Sequence, residues 1–588
     1  MSNDKNLTVA QTFNLAVKNH QEGKTDIALE LYNQILKITP NHAQALNNIG
    51  IIFVNLNENQ NAKDCYEKAI KINPNYADAH NNLGVIFEKI KDYQKAKECF
   101  EKAIEINPNY ADAHNNLGNI FKKLEEYQKA KDCFDKVISF KPNYANAHNN
   151  LGVIFKELGE IEKAKECYEK AIIINPNYTV ALSNLGVVFK EFGEFKKAKD
   201  CFEKAIAINP NYANAHNNLG TIFFELNDLQ KAKNCYEKAL EINPDFFYAL
   251  GNIVNVCISQ LADFEIAISK SNEVLKIYHK NYKFINQSVS LFKLKHDVEQ
   301  AYYLNSKNYK INGIDKFIKI GDEILRREEN EENKNEFNKK ILLSDNEINI
   351  LLSYSKENQT YQTKTISESC INPNKKWLDV EDEYLNSANQ IMYIDDFLSD
   401  EALIELREFS LVSKVWYKEY NGKYLGAFSS SGFISPIHLQ IAVDLQQKLP
   451  KLFGLHGLTK FWGFKYDSAL GSGINVHADF AIHNLNFWIT PDEYNNNKNS
   501  GGLKVYDAPA PDNWIFDDYN RNDKKIYKFL KDNNANCINV PYKFNRAVLF
   551  NSAYFHETDE INFKNEYVGR RINNTYLFGK RLVKSSFE

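Results

Sequence analysis

Hydrophobic and polar positions recur along the first half of the chain with a fixed period of 34 residues. In a typical unit, AHNNLGVIFEKIKDYQKAKECFEKAIEINPNYAD, apolar residues fall at every third or fourth position in two successive runs, which predicts two amphipathic helices. A proline, which cannot continue a helix, follows the second run. These prolines are Pro40, Pro74, Pro108, Pro142, Pro176, Pro210 and Pro244. Each unit is therefore predicted to be a helical hairpin.

A glycine stands at one position of the first helix in six units, where its small size lets a neighbouring helix approach. The glycines are Gly50, Gly84, Gly118, Gly152, Gly186 and Gly220. Together with the alanine of QKAKE in the second helix, this pattern resembles the tetratricopeptide repeat (TPR). The resemblance implies an N-terminal all-α TPR superhelix over residues 1–280, with seven repeats over 9–246 and a degenerate eighth over 247–280.

The pattern changes after the repeats end. Residues 281–345 keep a helical period and predict a helical connector, whereas residues 346–389 are polar and irregular and predict a linker. Beyond Tyr393 the period falls to two, and short strands are predicted in KFWGFKYD, LNFWIT, GLKVYD, CINVPY, RAVLFNS and RINNTYLFG. Residues 390–588 are therefore predicted to form an all-β module.

Composition narrows the classes of function. The 588 residues carry 72 Lys and Arg against 76 Asp and Glu, which leaves no basic excess to hold a phosphate backbone. No apolar run is long enough to span a membrane, and the first residues do not form a signal peptide. We therefore expect a cytoplasmic protein with neither a nucleic-acid nor a membrane partner. Six of the eight arginines lie between Arg407 and Arg581, which places bidentate anion recognition in the C-terminal third.

Asparagine occupies one position of the first helix in all eight repeats, on the side that lines the concave face of a TPR superhelix. The row consists of Asn14, Asn48, Asn82, Asn116, Asn150, Asn184, Asn218 and Asn252. A carboxamide both donates and accepts, so a row of them matches the backbone of an extended peptide. The row resembles the asparagine ladder of O-linked N-acetylglucosamine transferase, which implies a groove for a protein or peptide partner. The alternative is that these side chains stabilise the repeats themselves.

The C-terminal module contains residues of the kind that bind a transition metal. His477 and Asp479 are two positions apart, so in an extended segment both side chains point to one face. His556 follows a later hydrophobic strand, and Arg570 and Arg571 open the next one. Two histidines and one carboxylate make the facial triad of non-haem Fe(II) oxygenases. In this order the residues resemble the 2-oxoglutarate and Fe(II)-dependent dioxygenase superfamily, including its prolyl 4-hydroxylase-like branch.

The resemblance implies that residues 390–588 form a double-stranded β-helix, or jelly roll, with oxidoreductase activity. It places the catalytic Fe(II) on His477, Asp479 and His556, with 2-oxoglutarate and O2 as co-substrates. The long segment between GLKVYD and CINVPY is predicted to be a lid over this site.

The same resemblance assigns three residues to the co-substrate. Arg571 is implied to anchor the distal carboxylate of 2-oxoglutarate, because strand alternation places it on one face with Asn573 and Thr575, whose hydroxyl could assist the guanidinium. Arg570 is the rival for this role. Tyr466 resembles the tyrosine that borders the co-substrate in several members.

Three functions are consistent with the sequence. The first is a dioxygenase that hydroxylates a polypeptide recruited by the TPR groove. The second is a dioxygenase that acts on a small molecule or glycan and uses its TPR array for assembly. The third is a non-enzymatic TPR scaffold. The complete set of metal ligands and the arginine favour the first two functions. Nothing in the sequence distinguishes a polypeptide substrate from a small molecule or glycan.

Overall fold

The computed structural model describes residues 7–579 apart from 261–263, 282–287, 330–339, 358, 365, 421–423, 468, 471–472 and 515. The chain divides into two compact units. One comprises the residues up to 188 together with 200–210, and the other comprises 189–199 together with the residues from 211 onward. Among the described residues, no helix combines the length and the apolar character needed to cross a membrane.

The repeat region consists of paired α-helices, as the periodicity predicted. They are α1 (Val9–Gln21), α2 (Thr25–Ile38), α3 (Ala43–Asn55), α4 (Asn59–Ile72), α5 (Ala77–Lys89), α6 (Tyr93–Ile106), α7 (Ala111–Lys123), α8 (Tyr127–Phe140), α9 (Ala145–Glu157), α10 (Ile161–Ile174), α11 (Thr179–Glu191), α12 (Phe195–Ile208), α13 (Ala213–Glu225), α14 (Leu229–Ile242), α15 (Phe247–Gln260) and α16 (Phe264–Asn281).

The repeated glycines let the two helices of a hairpin come into close contact. Gly118 of α7 faces the buried ring of Phe134 of α8, and a Cβ added at this glycine would lie 2.7 Å from a ring atom. The corresponding glycine in the other five repeats meets a tyrosine or phenylalanine of the second helix in the same way. Any larger residue would push the aromatic ring out of its packed position.

Recurring histidines support the entry into the first helix of a repeat. Their Nε2 atoms bond the carbonyl oxygen of the proline six residues earlier, at 2.9 Å for His80 and 2.8 Å for both His114 and His148. The imidazole thus satisfies a carbonyl at the turn between repeats, which is a structural role.

The described residues after the repeats form several helices and short strands. They include β1 (Ser288–Ser290), α17 (Leu291–Ser306), α18 (Ile314–Glu329), β2 (Lys340–Leu342), α19 (Asp345–Ser355) and α20 (Trp377–Asn386). Strands β1 and β2 pair antiparallel. Within the predicted linker, the backbone N–H of buried Cys370 donates to Asp444 at 2.6 Å.

The C-terminal region is built around antiparallel sheets. Its strands are β3 (Ile391–Ile394), β4 (Lys418–Tyr420), β5 (Tyr424–Phe428), β6 (Leu458–Tyr466), β7 (Ala469–Leu470), β8 (His483–Trp488), β9 (Leu503–Pro509), β10 (Cys537–Val540), β11 (Ala547–Asn551), β12 (Tyr554–Thr558), β13 (Ile561–Asn562) and β14 (Ile572–Phe578). One sheet has the order β3-β11-β8-β14-β6-β5-β4, a second has the order β10-β9-β12, and β7 pairs with β13. The six predicted strands are confirmed as β6, β8, β9, β10, β11 and β14.

The prediction of an all-β module was wrong, because helices pack against these sheets. They are α21 (Asp400–Val412), α22 (Pro436–Lys448), α23 (Pro450–Phe453), α24 (Phe516–Asn520) and α25 (Asp523–Asp532). Helix α21 begins at Ser399, whose hydroxyl accepts from the N–H of Ala402, and it buries Leu406 and Phe409 completely. Its apolar positions follow the helical period.

The eighth hairpin, α15–α16, packs directly on the C-terminal sheet region within the second unit. The hydroxyl of buried Ser271 in α16 donates to the carbonyl of Ser429 at 2.7 Å and accepts from the N–H of Gly432 at 2.7 Å. Leu275, Ile253 and Phe433 belong to one continuous hydrophobic core. This hairpin is therefore held rigidly against the strands that follow it.

Candidate metal centre

Backbone hydrogen bonds bring the three predicted metal ligands together. His477 and His556 form an antiparallel bridge in which each N–H donates to the other's carbonyl, at 3.0 and 2.8 Å. The N–H of Asp479 donates to the carbonyl of Ser552 at 3.0 Å. One ligand atom from each of the three side chains consequently lies within 4.8 Å of the others. The pair His477 and Asp479 precedes β8 and does not lie in a regular strand.

Both histidines are held in the same orientation. Nδ1 of His477 lies 2.8 Å from the carbonyl oxygen of Asn475, and Nδ1 of His556 lies 3.1 Å from that of Tyr554. A carbonyl only accepts, so in each neutral ring the proton is on Nδ1 and Nε2 carries the free lone pair. Burial lowers the pKa of His477 to about 4, so this ring is neutral at physiological pH. Such outer hydrogen bonds are typical of metal-binding histidines.

Asp479 is ionised and held in place by amide and imidazole groups. Its burial disfavours the charged form, but the adjacent imidazoles of His556 and His477 and the amide of Asn484 outweigh this effect and lower the pKa of Asp479. Nδ2 of Asn484 donates to Oδ2 of Asp479 at 2.6 Å. The carboxylate therefore stays negative and fixed where a cation would bind.

The cluster fits a divalent metal. Nε2 of His556 lies 3.5 Å from Oδ2 of Asp479. When the His556 ring carries a proton on Nδ1, directed at Tyr554, its Nε2 faces the carboxylate oxygen as a second acceptor, and two facing acceptors repel unless a proton or a metal cation lies between them. Two neutral imidazoles and one carboxylate are the ligand set preferred by Fe(II) in sites that keep open positions.

Arg571 shares a cavity of about 750 Å³ with the three ligands. Its side chain is 1% exposed, Nε donates to the carbonyl of Gly501 at 2.6 Å, and Nη2 donates to that of Gly502 at 3.3 Å. In the part of the chain that the structure describes, Nη1 has no hydrogen-bond partner. A buried charge with an unfilled donor is costly unless an anion completes it, so this position suits a carboxylate ligand.

Arg570 faces the other way. Its Nε and Nη2 donate to Oε2 of Glu299 in α17, at 2.9 and 2.7 Å, and Nη1 lies 3.4 Å from Asp467. Arg570 thus bonds the connector to the start of β14. Of these two neighbouring arginines, Arg571 is the one that reaches the cavity.

Tyr466 supports the arginine from behind and does not line the cavity. It is fully buried, and its ring centre lies 4.7 Å from the guanidinium carbon of Arg571, with Trp488 at 5.5 Å on the same group. Aromatic faces at these distances favour a cation and fix the plane of the guanidinium. Tyr466 is therefore placed to orient Arg571.

The predicted face of β14 is correct, but the expected contact of Thr575 with the guanidinium is not present. Arg571, Asn573 and Thr575 all line the cavity. The hydroxyl of Thr575 donates to Oδ1 of Asn486 at 2.7 Å instead, and Asn573 donates to the same oxygen at 2.9 Å. Thr575 therefore belongs to an amide network beside the arginine.

The amide network reaches the metal ligands, and the sequence analysis did not find it. Nδ2 of Asn486 donates to Oδ1 of Asn484 at 2.6 Å, and Asn484 in turn donates to Asp479. Thr575, Asn486, Asn484 and Asp479 thus form a continuous chain of hydrogen bonds. The signal in the sequence was the pair of asparagines at alternate positions of the hydrophobic strand HNLNFW.

The predicted lid contains helices α24 and α25, and it bonds directly to the metal-ligand segment. The N–H of Ala478, the residue between two ligands, donates to the carbonyl of Tyr519 at 2.9 Å, and Asn520 donates back to the carbonyl of Ala478 at 3.3 Å. Asn520, Arg521 and Asp523 line the cavity. Movement of this segment would therefore shift the backbone that carries His477 and Asp479.

The asparagine row is engaged between successive repeats. Nδ2 of Asn82 donates to Oδ1 of Asn47 at 3.0 Å, and Asn116, Asn150 and Asn184 bond the preceding repeat in the same way. The acceptors are nearly fully buried, whereas the row residues are half-buried. Each row carboxamide has a second N–H and further acceptor capacity. One N–H of each of these four side chains therefore stabilises the stacking of repeats, as the alternative reading of the row expected.

The comparisons with known proteins concern the repeats. The tetratricopeptide repeat model matches residues 77–110, 111–144, 145–178, 179–212 and 213–246, and a further TPR repeat model matches residues 52–91, which confirms the TPR array. These matches end at residue 246, so the C-terminal region is interpreted from its geometry. No curated protein matches the chain.

Several solved structures are similar to part of the chain. The APC/C hetero-tetramer Cut9-Hcn1 shares 16% identity over 41% of this chain, which spans about half (48%) of that chain, with a TM-score of 0.38. PilF of Pseudomonas aeruginosa shares 20% identity over 35% of this chain and 94% of its own, with a TM-score of 0.32. YrrB, described as a TPR protein with an unusual peptide-binding site, shares 26% identity over 32% of this chain and 95% of its own, with a TM-score of 0.26.

Proposed function

We propose that the chain is an Fe(II)- and 2-oxoglutarate-dependent dioxygenase that hydroxylates a polypeptide recruited by its TPR array. The observation that carries the proposal is the shared cavity, in which His477, Asp479 and His556 converge beside the unfilled Nη1 donor of Arg571. The metal would bind the chelating end of a keto acid, and the arginine beside it would bind the distal carboxylate. A purely structural metal site would need a closed ligand set and no such arginine.

The sheet arrangement supports a double-stranded β-helix as the catalytic fold. The metal cavity is lined from the seven-stranded sheet by residues of β6, β8 and β14, and from the three-stranded sheet by His556 and Thr558 of β12 and Leu503 of β9. A cavity enclosed by two antiparallel sheets is the setting in which such enzymes hold their metal. The proposal is that these two sheets form the jelly roll.

The chain's own residues have separate tasks in this proposal. His477, Asp479 and His556 hold the metal through Nε2, a carboxylate oxygen and Nε2, while Asn484 fixes the carboxylate. Arg571 orients the co-substrate through its distal carboxylate, and helix α24 excludes water from one side. Fe(II), 2-oxoglutarate and O2, when bound, would supply an oxidative decarboxylation in which one oxygen atom enters succinate as CO2 is released and the other converts a C–H bond of the second substrate into C–OH.

The recruitment part of the proposal rests on the repeats. TPR arrays bind protein or peptide partners. In this array the half-buried Asn82, Asn116, Asn150 and Asn184 each use one N–H to bond the preceding repeat, and a carboxamide carries a second N–H that a ligand could accept. A row of this kind would bind the backbone of an extended segment and tolerate many side chains. The substrate is therefore proposed to be an unfolded or flexible stretch of a protein.

The first test measures metal and co-substrate binding without turnover. Full-length protein is titrated anaerobically with Fe(II) and then with 2-oxoglutarate, and the visible charge-transfer absorption of the ternary complex is followed. We expect the band in the wild type and its loss in His477→Ala. His483→Ala is the matched control, because His483 begins β8, packs edge-on against Tyr384 and lies outside the ligand cluster. An equal band in His477→Ala would contradict the metal assignment.

The second test identifies the substrate class. The enzyme is incubated in air with Fe(II), 2-oxoglutarate and either denatured cell proteins or a metabolite extract, and mass spectrometry searches for products that have gained one oxygen atom. Hydroxylated peptides in the protein sample support the proposal. Hydroxylated metabolites or glycans alone would favour the small-molecule alternative, and a wild type that neither forms the ternary complex nor consumes 2-oxoglutarate would favour the scaffold.

A further inference from the structure

A second large cavity lies in the same compact unit as the metal centre. It has a volume of about 750 Å³ and is bordered by α15, α16, β1 and the turn that follows β5. Five of its lining residues are aromatic: Phe247, Tyr248, Tyr278, Tyr417 and Phe428. The proposed reaction does not use this cavity.

The second cavity adjoins the metal cavity through one residue. Phe428, the last residue of β5, lines both. The antiparallel pair β4–β5 forms the common wall, and strand alternation divides its side chains between the two cavities: Glu419 lines the second cavity, whereas Tyr420 and Tyr424 line the metal cavity. A chain that passes Phe428 would therefore contact both.

Two amide side chains of α15 line the second cavity. Asn252, the last member of the row, lines it together with Asn255, one helical turn further along α15. Asn252 donates one N–H to Asn217 at 2.9 Å, which leaves its other N–H and its acceptor capacity for a ligand. Because α15–α16 is fixed to the C-terminal region through Ser271, the distance from these amides to the metal is also fixed.

The lining indicates what kind of side chain would enter. Phe247 and Tyr248 are 43% and 60% exposed, and their ring centres are 4.0 Å apart, so large apolar surface faces solvent at the cavity. Exposed aromatic surface of this kind marks a binding site more often than a structural one. The charged lining residues are Lys340 and Glu419, one of each sign, and Glu419 is bonded to Ser290. A neutral, aromatic or large aliphatic side chain is the matching occupant.

We infer that this cavity is an anchor site for an aromatic or large aliphatic side chain of the polypeptide substrate. The anchored segment continues past Phe428 and presents a neighbouring part of the same chain to the metal. The inference rests on the proposed function and adds a specificity element to it. Substrates are selected by the presence of a large apolar residue at a fixed separation from the hydroxylated one.

The inference is tested by binding in the absence of iron. Fluorescent peptides of about 12 residues, which reach about 40 Å when extended, are built from Gly, Ser and Asn with one central Phe, Leu, Lys or Glu. Anisotropy with the metal-free full-length chain should rank Phe and Leu above Lys and Glu. The double variant Phe247→Ala/Tyr248→Ala should bind the Phe peptide about tenfold more weakly, equivalent to about 1.4 kcal/mol.

A matched control uses another exposed tyrosine. Tyr302 of α17 is 49% exposed and lines neither cavity, so Tyr302→Ala should bind the Phe peptide like the wild type. Equal binding of the four peptides, or an equal affinity in the double variant and the wild type, would overturn the anchor site. Because no metal is present, this result is independent of whether the chain turns over 2-oxoglutarate.

Discussion

The two neighbouring arginines at the start of β14 provide a matched pair at the level of single residues. Arg571 keeps an unfilled donor in the metal cavity, whereas Arg570 is paired with Glu299. We expect Arg571→Lys to weaken 2-oxoglutarate at least tenfold, because a lysine cannot reproduce the planar fork and loses the charge-assisted bonds, which are worth about 1.5–3 kcal/mol. Anaerobic titration of the Fe(II) complex measures this change, with little effect expected on Fe(II) itself.

Arg570→Lys is the control for this prediction. It removes the same fork from the same backbone region, but the lost contacts are to the connector. It should lower the melting temperature and leave the dissociation constant of 2-oxoglutarate unchanged. If 2-oxoglutarate weakens in Arg570→Lys and not in Arg571→Lys, the roles of the two arginines are reversed.

Buried histidines should make the metal-free protein sensitive to acid. His438 is fully buried between Phe409, Phe433 and Phe461, and burial lowers its pKa to about 3. Below the ordinary histidine pKa of about 6.5, the imidazole of residue 438 binds a proton in the unfolded chain but stays neutral in the folded chain. Stability is therefore full above this pH and is lost as the pH falls towards 3, by up to about 1.4 kcal/mol per pH unit from this group.

His438→Phe removes the titrating group and keeps an aromatic ring. Chemical denaturation of the metal-free wild type and variant at pH 7 and pH 5 should show a smaller pH dependence in the variant, whatever its absolute stability. His279 and His483, whose pKa values burial lowers to about 4, remain in both proteins and leave a residual slope. An identical slope in the two proteins would rule out the contribution of His438.

At the level of the helical hairpin, the repeated glycine is required by the aromatic ring that it faces. Alanine favours a helix over glycine by about 1 kcal/mol, but in Gly118→Ala the new methyl group would meet the ring of Phe134 at 2.7 Å. Phe134 is fully buried and has no space to withdraw. We expect Gly118→Ala to destabilise the array by about 1–3 kcal/mol in denaturant unfolding.

A second substitution tests whether the loss of stability in Gly118→Ala comes from the clash with Phe134. Phe134→Leu makes room for the methyl group, so the double variant should lose less stability than the two single changes added together. Asn119→Ala on the same helix is the control for replacement by alanine. Additive effects of Gly118→Ala and Phe134→Leu would show that the two positions are not in contact.

The elements that repeat or alternate strictly could be predicted from the sequence. The hairpins follow a 34-residue period, and six strands follow a period of two, so both are visible without a structure. The resemblance of YIDDFLSDEALIELREF to the lead-in strand and helix of a dioxygenase domain predicted β3 and α21, whereas α22 was missed because its apolar positions stand among short strands. The site was predictable as far as residue type and spacing define it. The bond from Asn484 to Asp479 was not predictable, since it depends on how the loop before β8 folds back.

At the scale of whole units, successive repeats are bonded to one another within each unit, and the eighth hairpin is fixed to the C-terminal region of its own unit. The row asparagines serve the array, because they bond the preceding repeat, and in the proposed function they also bind the substrate. These two roles can be separated, because each of the bonds made by Asn82, Asn116, Asn150 and Asn184 has a row residue as donor and a nearly fully buried asparagine as acceptor. Removing either partner breaks the same bond.

Replacing the donors or the acceptors of these four bonds by alanine distinguishes the structural role of the row from substrate binding. The row variant replaces Asn82, Asn116, Asn150 and Asn184 by alanine, and the partner variant replaces Asn47, Asn81, Asn115 and Asn149. Both lose the same four inter-repeat bonds, so both should lose stability, by roughly 0.5–1.5 kcal/mol per bond. Only the row variant loses the half-buried carboxamides, and it should raise the Michaelis constant for a long polypeptide substrate by an order of magnitude or more. The 2-oxoglutarate consumption measured without that substrate should be the same in both. Circular dichroism establishes that each variant is folded at the assay temperature. If the two variants bind the polypeptide equally well, the asparagine row has only its structural role and the substrate is recruited elsewhere.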